Sequence, residues 1–146
     1  MSEIKYGLIS KVDAACVEKT LDLIIAGFPE ETINVCEVGL FNCQTSHGVH
    51  DYILSKGRAA SMTGIDNERD KLIHPPGWMK FIRGNSNEVY NKVPDGSQHF
   101  IFVDGLHTFP AVVSDFFCYA PKVKVGGFIG FHDVGQHLDK LSGWQG

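Results

Sequence analysis

Apolar positions along this chain switch repeatedly between helical spacing and short continuous runs, as in folds where helices and strands take turns. Val17, Leu21, Ile24 and Phe28 recur at helical spacing behind Asp13, which predicts an N-terminal helix capped by Asp13 and stopped by Gly27 and Pro29. Thr32 to Val38 predicts a strand that breaks at Gly39. A helix follows, with Thr45 or Ser46 as its cap, Val49, Tyr52 and Ile53 facing inward, and Gly57 at its end. Ala59 to Ile65 predicts a second strand ending at Asp66, and Met79 to Ile82 a third ending at Gly84. A short polar helix, Asn67 to Ile73, and the breaker Pro75, Pro76, Gly77 separate them. Ser86 to Val93 predicts another short helix, ended by the turn Pro94, Asp95, Gly96. His99 to Val103 then carries Phe-Ile-Phe-Val, the continuous apolar run of a strand buried on both faces and hence the centre of the sheet. Thr108 caps a helix through Tyr119 with Val112, Phe116 and Phe117 among its apolar positions. Gly126 and Gly127 lead into a fifth strand, Phe128 to Phe131, ending at His132 and Asp133.

Strands separated by helices imply right-handed crossovers, and so an α/β domain with a mostly parallel sheet of about five strands and helices on both faces. Length fits one domain: 146 residues, 43% hydrophobic and 21% charged, bury enough surface to need neither disulfides nor a structural metal. The expected division is an N-terminal helix region over 1–30, a core over 31–134 and a short tail over 135–146. The aromatics Phe100, Phe102, Phe116, Phe117, Phe128 and Phe131 read as sheet and helix core.

Charge narrows the partners. Net charge is −4 and no basic cluster occurs anywhere, which argues against a nucleic-acid footprint and favours a small molecule. Cys16, Cys36, Cys43 and Cys118 show no Cys-x-x-Cys pairing and read as reduced thiols. The first ten residues lack a signal peptide's apolar core, and no run reaches the length of a membrane span. The expectation is a cytoplasmic protein that does not engage a membrane.

In parallel sheets, ligands bind where the loops beyond the carboxyl ends of the strands form a crevice. Here those ends carry Glu37 with Gly39, Asp66, Asn85 with Ser86, Asp104 with His107, and His132 with Asp133. Gly39 permits a tight turn after the first strand, either as a simple strand-to-helix connection or as the edge of an anion-holding loop. Asp66, at the end of the second strand, is placed to accept hydrogen bonds from ribose hydroxyls or to cap the helix after it. His47 and His50 stand at helical i, i+3 spacing without a metalloprotease motif, and read as a solvated helix face. Cys43 is the one candidate nucleophile, and no base accompanies it. His74, His99 and His137 belong to no constellation, while Trp78 and Trp144 could line an acceptor pocket.

Four segments together resemble a known family. They are Val35-Cys-Glu-Val-Gly-Leu-Phe-Asn-Cys-Gln-Thr-Ser46, Gly64-Ile-Asp-Asn-Glu68, Phe81-Ile-Arg-Gly-Asn-Ser86, and Phe100-Ile-Phe-Val-Asp-Gly-Leu-His107 running on to Gly126-Gly-Phe-Ile-Gly-Phe-His-Asp-Val134. The chain over about residues 30 to 134 resembles the class I S-adenosylmethionine-dependent methyltransferases, in their small-molecule and sugar O-methyltransferase branch. The resemblance implies a Rossmann-like fold, with S-adenosylmethionine as cofactor and a hydroxyl of a small molecule or sugar as methyl acceptor. It would place Glu37 and Gly39 against the methionine part of the cofactor, with Leu40, Phe41, Thr45 and Ser46 nearby. Asp66 would hold the ribose. Asn85 and Ser86 would flank the adenine, Asn85 standing where the family more often has Asp, and Asp104 would lie beside the transferring methyl. The family usually has a second glycine where this chain has Phe41 or Cys43.

Methyl transfer requires the acceptor oxygen to be held near the methyl and deprotonated. His107 or His132 could serve as base beside Asp104. Alternatively Asp104, His132 and Asp133 could hold a divalent ion, Mg²⁺ or Mn²⁺, as some relatives do. The family's sheet continues beyond its fifth strand, whereas only the stretch to Gly146 follows Asp133 here. The expectation is therefore that the last strands of the methyltransferase fold are lacking. A homodimer would cover the fifth strand through Phe128, Phe131, Leu138, Leu141 and Trp144. Two further readings stand beside the enzyme: a truncated, non-catalytic methyltransferase-like binding module, and a nicotinamide-dependent oxidoreductase. The absence of Gly-x-Gly-x-x-G after the first strand counts against the latter.

Overall fold

A computed structural model describes residues 9–67 and 73–132. Its sheet has five strands, all parallel: β1 Ile33–Val38, β2 Ala60–Asp66, β3 Met79–Arg83, β4 Gln98–Val103 and β5 Val123–Phe131, in the spatial order β3-β2-β1-β4-β5. Helix α1 (Lys11–Gly27) precedes the sheet, α2 (Gln44–Ser55) joins β1 to β2, and α4 (Phe109–Tyr119) joins β4 to β5. The Ser86–Val93 segment predicted as one helix is a single turn, α3 (Ser86–Val89), tightened into a 3-10 turn over Tyr90–Lys92. The predicted Asn67–Ile73 helix, Asp133, and the tail residues Leu138, Leu141 and Trp144 lie outside the described residues.

Side-chain alternation along the central strands builds a core on each face of the sheet. Ile33 and Val35 of β1 join Phe100 and Phe102 of β4 in a cluster that takes in Leu21 and Ile24 of α1 and Ile53 of α2. The intervening Cys36, Val38, Ile101 and Val103 point the other way, to Val89, Val93 and Tyr119. Every residue of β4 is buried, as its apolar run predicts, but the centre of the sheet expected for β4 is held by β1, with β4 between it and the edge strand β5. Below the cores, Arg58 donates to the carbonyls of Ile25, Phe28 and Glu31, satisfying acceptors at the end of α1 that the helix leaves without partners.

Several local expectations are corrected. Asp13 is not the α1 cap. Ser10 is, and Asp13 sits three residues on as the reciprocal half of a capping box. Thr45 and Ser46 do not cap α2 either: both are buried inside its first turn, and the cap position is Cys43 in a left-handed conformation. α4 is turned over relative to its apolar pattern. Asp115 and Tyr119 are its buried positions, while Phe117 is 71% exposed and Phe116 is also exposed, because Tyr119 reaches back to the β3–α3 loop. Phe128 of β5, expected in the core, is exposed as well. β5 begins earlier than predicted. Its Gly126 and Gly127 lie inside the strand, at an irregularity where Gln98 pairs with Val123 but Phe100 pairs with Phe128. Gly126 has φ +89°, and a side chain on Gly127 would fall 2.6 Å from the His99 carbonyl oxygen, so the strand can turn there only with glycines.

His99 acquires a partner set that its sequence context does not reveal. Its Nδ1 accepts the backbone N–H of Asn34 at 2.9 Å, and its Nε2 lies 3.0 Å from Glu31, which Lys124 also contacts. A structural strut between β1, β4 and β5 results. No helix among the described residues is long and apolar enough to cross a membrane.

Candidate functional site

The carboxyl ends of β1 to β5 open into one cleft of about 700 Å³, within the usual range for small-molecule sites. Its base is set by backbone contacts between neighbouring strand ends. The Asp104 N–H donates to the Val38 carbonyl at 2.8 Å, the Gly39 N–H to the Ile65 carbonyl at 2.8 Å, and the His132 N–H to the Val103 carbonyl at 3.0 Å. Of the predicted site residues, Gly39, Phe41, Asp66, Asn85, Ser86, Asp104, His107 and His132 line the cleft. Glu37, Leu40, Thr45 and Ser46 do not. They are buried behind its wall, supporting the loop after β1.

That loop shows how the sequence handles its missing glycine. Phe41 and Cys43 have φ of 49° and 61°, the left-handed region that favours glycine. The backbone path that glycine would ease is therefore kept by side chains that tolerate it poorly, at roughly 1–2 kcal/mol per residue. Asp66 holds the loop in place by accepting the Leu40 N–H at 2.8 Å. The same carboxylate lines the cleft.

Glu37 shares its side of β1 with Ile33 and Val35 and so points under α2, where Ser46 donates to it. It is 3% exposed. Burial pushes its carboxyl up to about 8 against the lowering effect of Ser46, and Asp104 and Asp66 raise it further. Burial, with Glu37 nearby, likewise pushes the Cys36 thiol up to about 12 and the Cys43 thiol up to about 11, so neither supplies a thiolate nucleophile at neutral pH.

Asp104 stands between two imidazoles. His132 Nδ1 lies 3.0 Å from its Oδ1 and His107 Nε2 3.7 Å from the same atom, with the two rings 6.3 Å apart. His132 also meets α1, its Nε2 lying 3.5 Å from Asp13 Oδ2. Sequence reasoning gave Asp13 a cap's role alone, since nothing in the pattern brings residue 13 to residue 132. His132 is 11% exposed at the side chain and His107 is 42% exposed, so the second imidazole is the accessible one.

Asp115 is the other functional candidate that sequence reasoning passed over. The apolar pattern of α4 does not single it out, yet it lines the cleft and accepts the Ser86 hydroxyl at 2.5 Å. Trp78, by contrast, stacks on His50 at 3.9 Å and meets His47 edge-on at 5.1 Å, outside the cleft lining. His47 is exposed, as a solvated helix face predicts, while His50 is half-buried against the Trp78 ring.

The cleft's electrostatics select among ligands. Its described lining includes the carboxylates of Asp66, Glu88, Asp104 and Asp115, and no Lys or Arg. A ligand with cationic sulfonium and ammonium groups and donor hydroxyls fits this lining, whereas a pyrophosphate has no basic side chain to meet. The described residues do not complete a metal site. Asp104 and His132 face each other, no three His, Cys, Asp or Glu side chains among the described residues converge to hold an ion, and Asp133 lies outside them.

A family profile described as a methyltransferase domain matches residues 36–134. Similar solved structures include a proposed caffeoyl-CoA O-methyltransferase from Staphylococcus aureus, 17% identical with a TM-score of 0.68, covering 90% of this chain and 62% of that one. MycE methyltransferase from the mycinamycin biosynthetic pathway, in complex with Mg and SAH, is 15% identical with a TM-score of 0.66, covering 97% of this chain and 36% of that one. A proposed S-adenosyl-L-methionine-dependent methyltransferase from Methanococcus maripaludis is 18% identical with a TM-score of 0.54, covering 92% and 65%. The chain therefore spans less than two thirds of the length of these structures, and at such identities the likeness shows a shared fold. No curated protein matches the chain in sequence.

Proposed function

The chain belongs to the methyltransferase-domain family, and we propose from its cleft that it binds S-adenosylmethionine and methylates a hydroxyl of a small molecule, a sugar or another metabolite. The observation that carries this reading is the lining itself: carboxylates at the ends of β2 and β4, two imidazoles beside Asp104, and no Lys or Arg among the described lining residues. When bound, the cofactor supplies an electrophilic methyl on a cationic sulfur. Asp66 accepts ribose hydroxyls while its backbone partner Leu40 keeps the β1 loop in register. Asp104 contributes negative potential beside the reacting centre and orients His107, which takes the acceptor's hydroxyl proton. His132 is the less available base, because its side chain is 11% exposed and each of its ring nitrogens already faces a carboxylate.

Calorimetric titration with S-adenosylhomocysteine, S-adenosylmethionine and NAD tests the cofactor. Saturable binding of the first two and none of NAD is expected, and the reverse pattern would establish the nicotinamide reading. A folded protein that binds the cofactor but methylates no hydroxyl compound in an acceptor screen would support the binding-module reading. A second reading of the deprotonation step, a divalent ion at Asp104, His132 and Asp133, is favoured by the Mg in the MycE complex. Loss of methyl transfer on chelation, restored by Mg²⁺ or Mn²⁺, would support it.

A further inference from the structure

We propose that the outward face of α4 is a contact between two copies of this chain, packed as antiparallel helices about a two-fold axis. The polar side of α4 is the one held down. Ser86 donates to Asp115 and Tyr119 donates to the Ser86 carbonyl, which ties α4 to α3 and aims the opposite side of the helix at solvent. Phe109, Phe116 and Phe117 stand there at 81%, 44% and 71% exposure, with Val112, Val113 and Ala120 half-buried beside them. Phe116 meets Phe117 edge-on at 5.6 Å and Phe131 of β5 at 6.2 Å, so the exposed surface is continuous. β5 is the last strand of the sheet, and no strand among the described residues flanks this side.

Size, charge and sequence choose the occupant. At roughly 200 Å² per phenylalanine, the three rings leave roughly 400 Å² open, so a two-fold contact covers roughly 800 Å² through them alone. The neighbouring valines, Ala120 and Phe131 extend this toward the ~1,200–2,000 Å² in total that a stable pair buries. Between Phe109 and Ala120 the one charged side chain is Asp115, which is 3% exposed. A partner of opposite charge finds nothing here to pair with, whereas a second copy, sharing the net charge of −4, meets no facing carboxylate. Phe109, Val113, Phe116 and Ala120 follow one another at spacings of four, three and four, the seam of two packed helices. An antiparallel pair centred between Ser114 and Asp115 sets Phe109 against the partner's Ala120, Val113 against the partner's Phe116 and Val112 against the partner's Phe117. Each ring then meets a smaller side chain, and the same patch serves both copies. A parallel pair would set ring on ring.

Sedimentation velocity of the full chain at micromolar concentration tests the contact. The wild type is expected to sediment as a dimer, and Val113→Lys and Phe116→Glu each as a monomer, since either variant alone would bury an unpaired charge at both symmetry-related contacts. In an equimolar mixture of the two variants, the new lysine of one copy faces the new glutamate of the other, and the second contact keeps its native Val113 and Phe116. The mixture is therefore expected to recover the dimer. Thermal melting checks that each variant folds, and Phe117→Lys, at a mostly exposed ring, repeats the disruption where the fold depends least on the side chain. A wild type that stays monomeric would overturn the proposal and leave the patch to the chain's own last residues or to a different protein. A dimer that all three variants leave intact would overturn it too, because the copies then meet elsewhere. Folded variants that remain monomeric when mixed would overturn the antiparallel pairing.

Discussion

A methyl group placed on Gly39 would sit 2.3 Å from the carbonyl oxygen of Asp104, so the ends of β1 and β4 touch through backbone alone at the base of the cleft. Gly39 also has φ +86°, where an L side chain is strained. Gly39→Ala therefore faces a clash with main chain that no rotamer can relieve. We expect a loss of ~3 kcal/mol or more in urea unfolding, together with loss of S-adenosylhomocysteine binding. An alanine variant with wild-type stability and affinity would show that the two strand ends can part without cost.

Glu37 makes stability depend on pH in a particular direction. Its folded carboxyl is raised to about 8 from an ordinary 4.5, chiefly by burial, so the native state holds a proton that the unfolded chain releases. The stability associated with that proton is complete below about 4.5 and is lost as pH rises through about 8. Glu37→Gln keeps an oxygen for the Ser46 hydroxyl and removes the titration. The wild type should thus lose ground against Glu37→Gln between those limits, by a few kcal/mol in order of magnitude, and the difference should level off above them. Chemical denaturation of both proteins at a series of pH values reads this directly. A difference that does not change with pH would mean that Glu37 is ionised in the native protein.

What was legible in the sequence follows from which forces act locally. The order of strands and helices was readable because period and breakers are local, and β4 announced its burial on both faces through an unbroken apolar run, although the central place belongs to β1. α4 was misread for a physical reason: its orientation is fixed by Asp115 and Tyr119 bonding to Ser86, and such polar ties between distant segments override an apolar stripe. The early start of β5 was hidden because Gly126 and Gly127 resemble a turn, although here they let a strand change register. At the site, strand-end residues such as Asp66 and Asp104 were legible because a parallel sheet gathers them. Asp13 was not, since its meeting with His132 depends on how α1 lies across β5.

The division of labour between the two imidazoles can be separated kinetically. His107 is the more exposed and lies 3.7 Å from Asp104, whereas both nitrogens of His132 face carboxylates. Once an acceptor is identified, His107→Gln should lower kcat by ~10²-fold or more while S-adenosylhomocysteine affinity stays within about threefold. The loss should shrink at high pH, where the acceptor sheds its proton unaided. Asp13→Asn should leave that pH profile in place, since Asp13 reaches the site only through His132. A full-rate His107→Gln enzyme would move the proton transfer elsewhere.

The loop after β1 offers a test that needs no substrate. Phe41 holds a left-handed φ of 49° and is partly open to the cleft, so backbone strain and ring packing can be separated there. Replacing it by alanine removes the ring but keeps the Cβ responsible for the strain, while glycine removes both. At an ordinary helix or strand position alanine is the more stable of the two by roughly 0.5–1 kcal/mol. Here the order should invert, with Phe41→Gly more stable than Phe41→Ala by ~1 kcal/mol, because the left-handed conformation costs alanine more than the unfolded chain gains from glycine. Urea unfolding of the two variants side by side gives the sign. If alanine proves the more stable, the loop relaxes away from the left-handed conformation on losing the ring, and Phe41 is then held there by its side-chain contacts rather than by the path of the chain between Gly39 and α2.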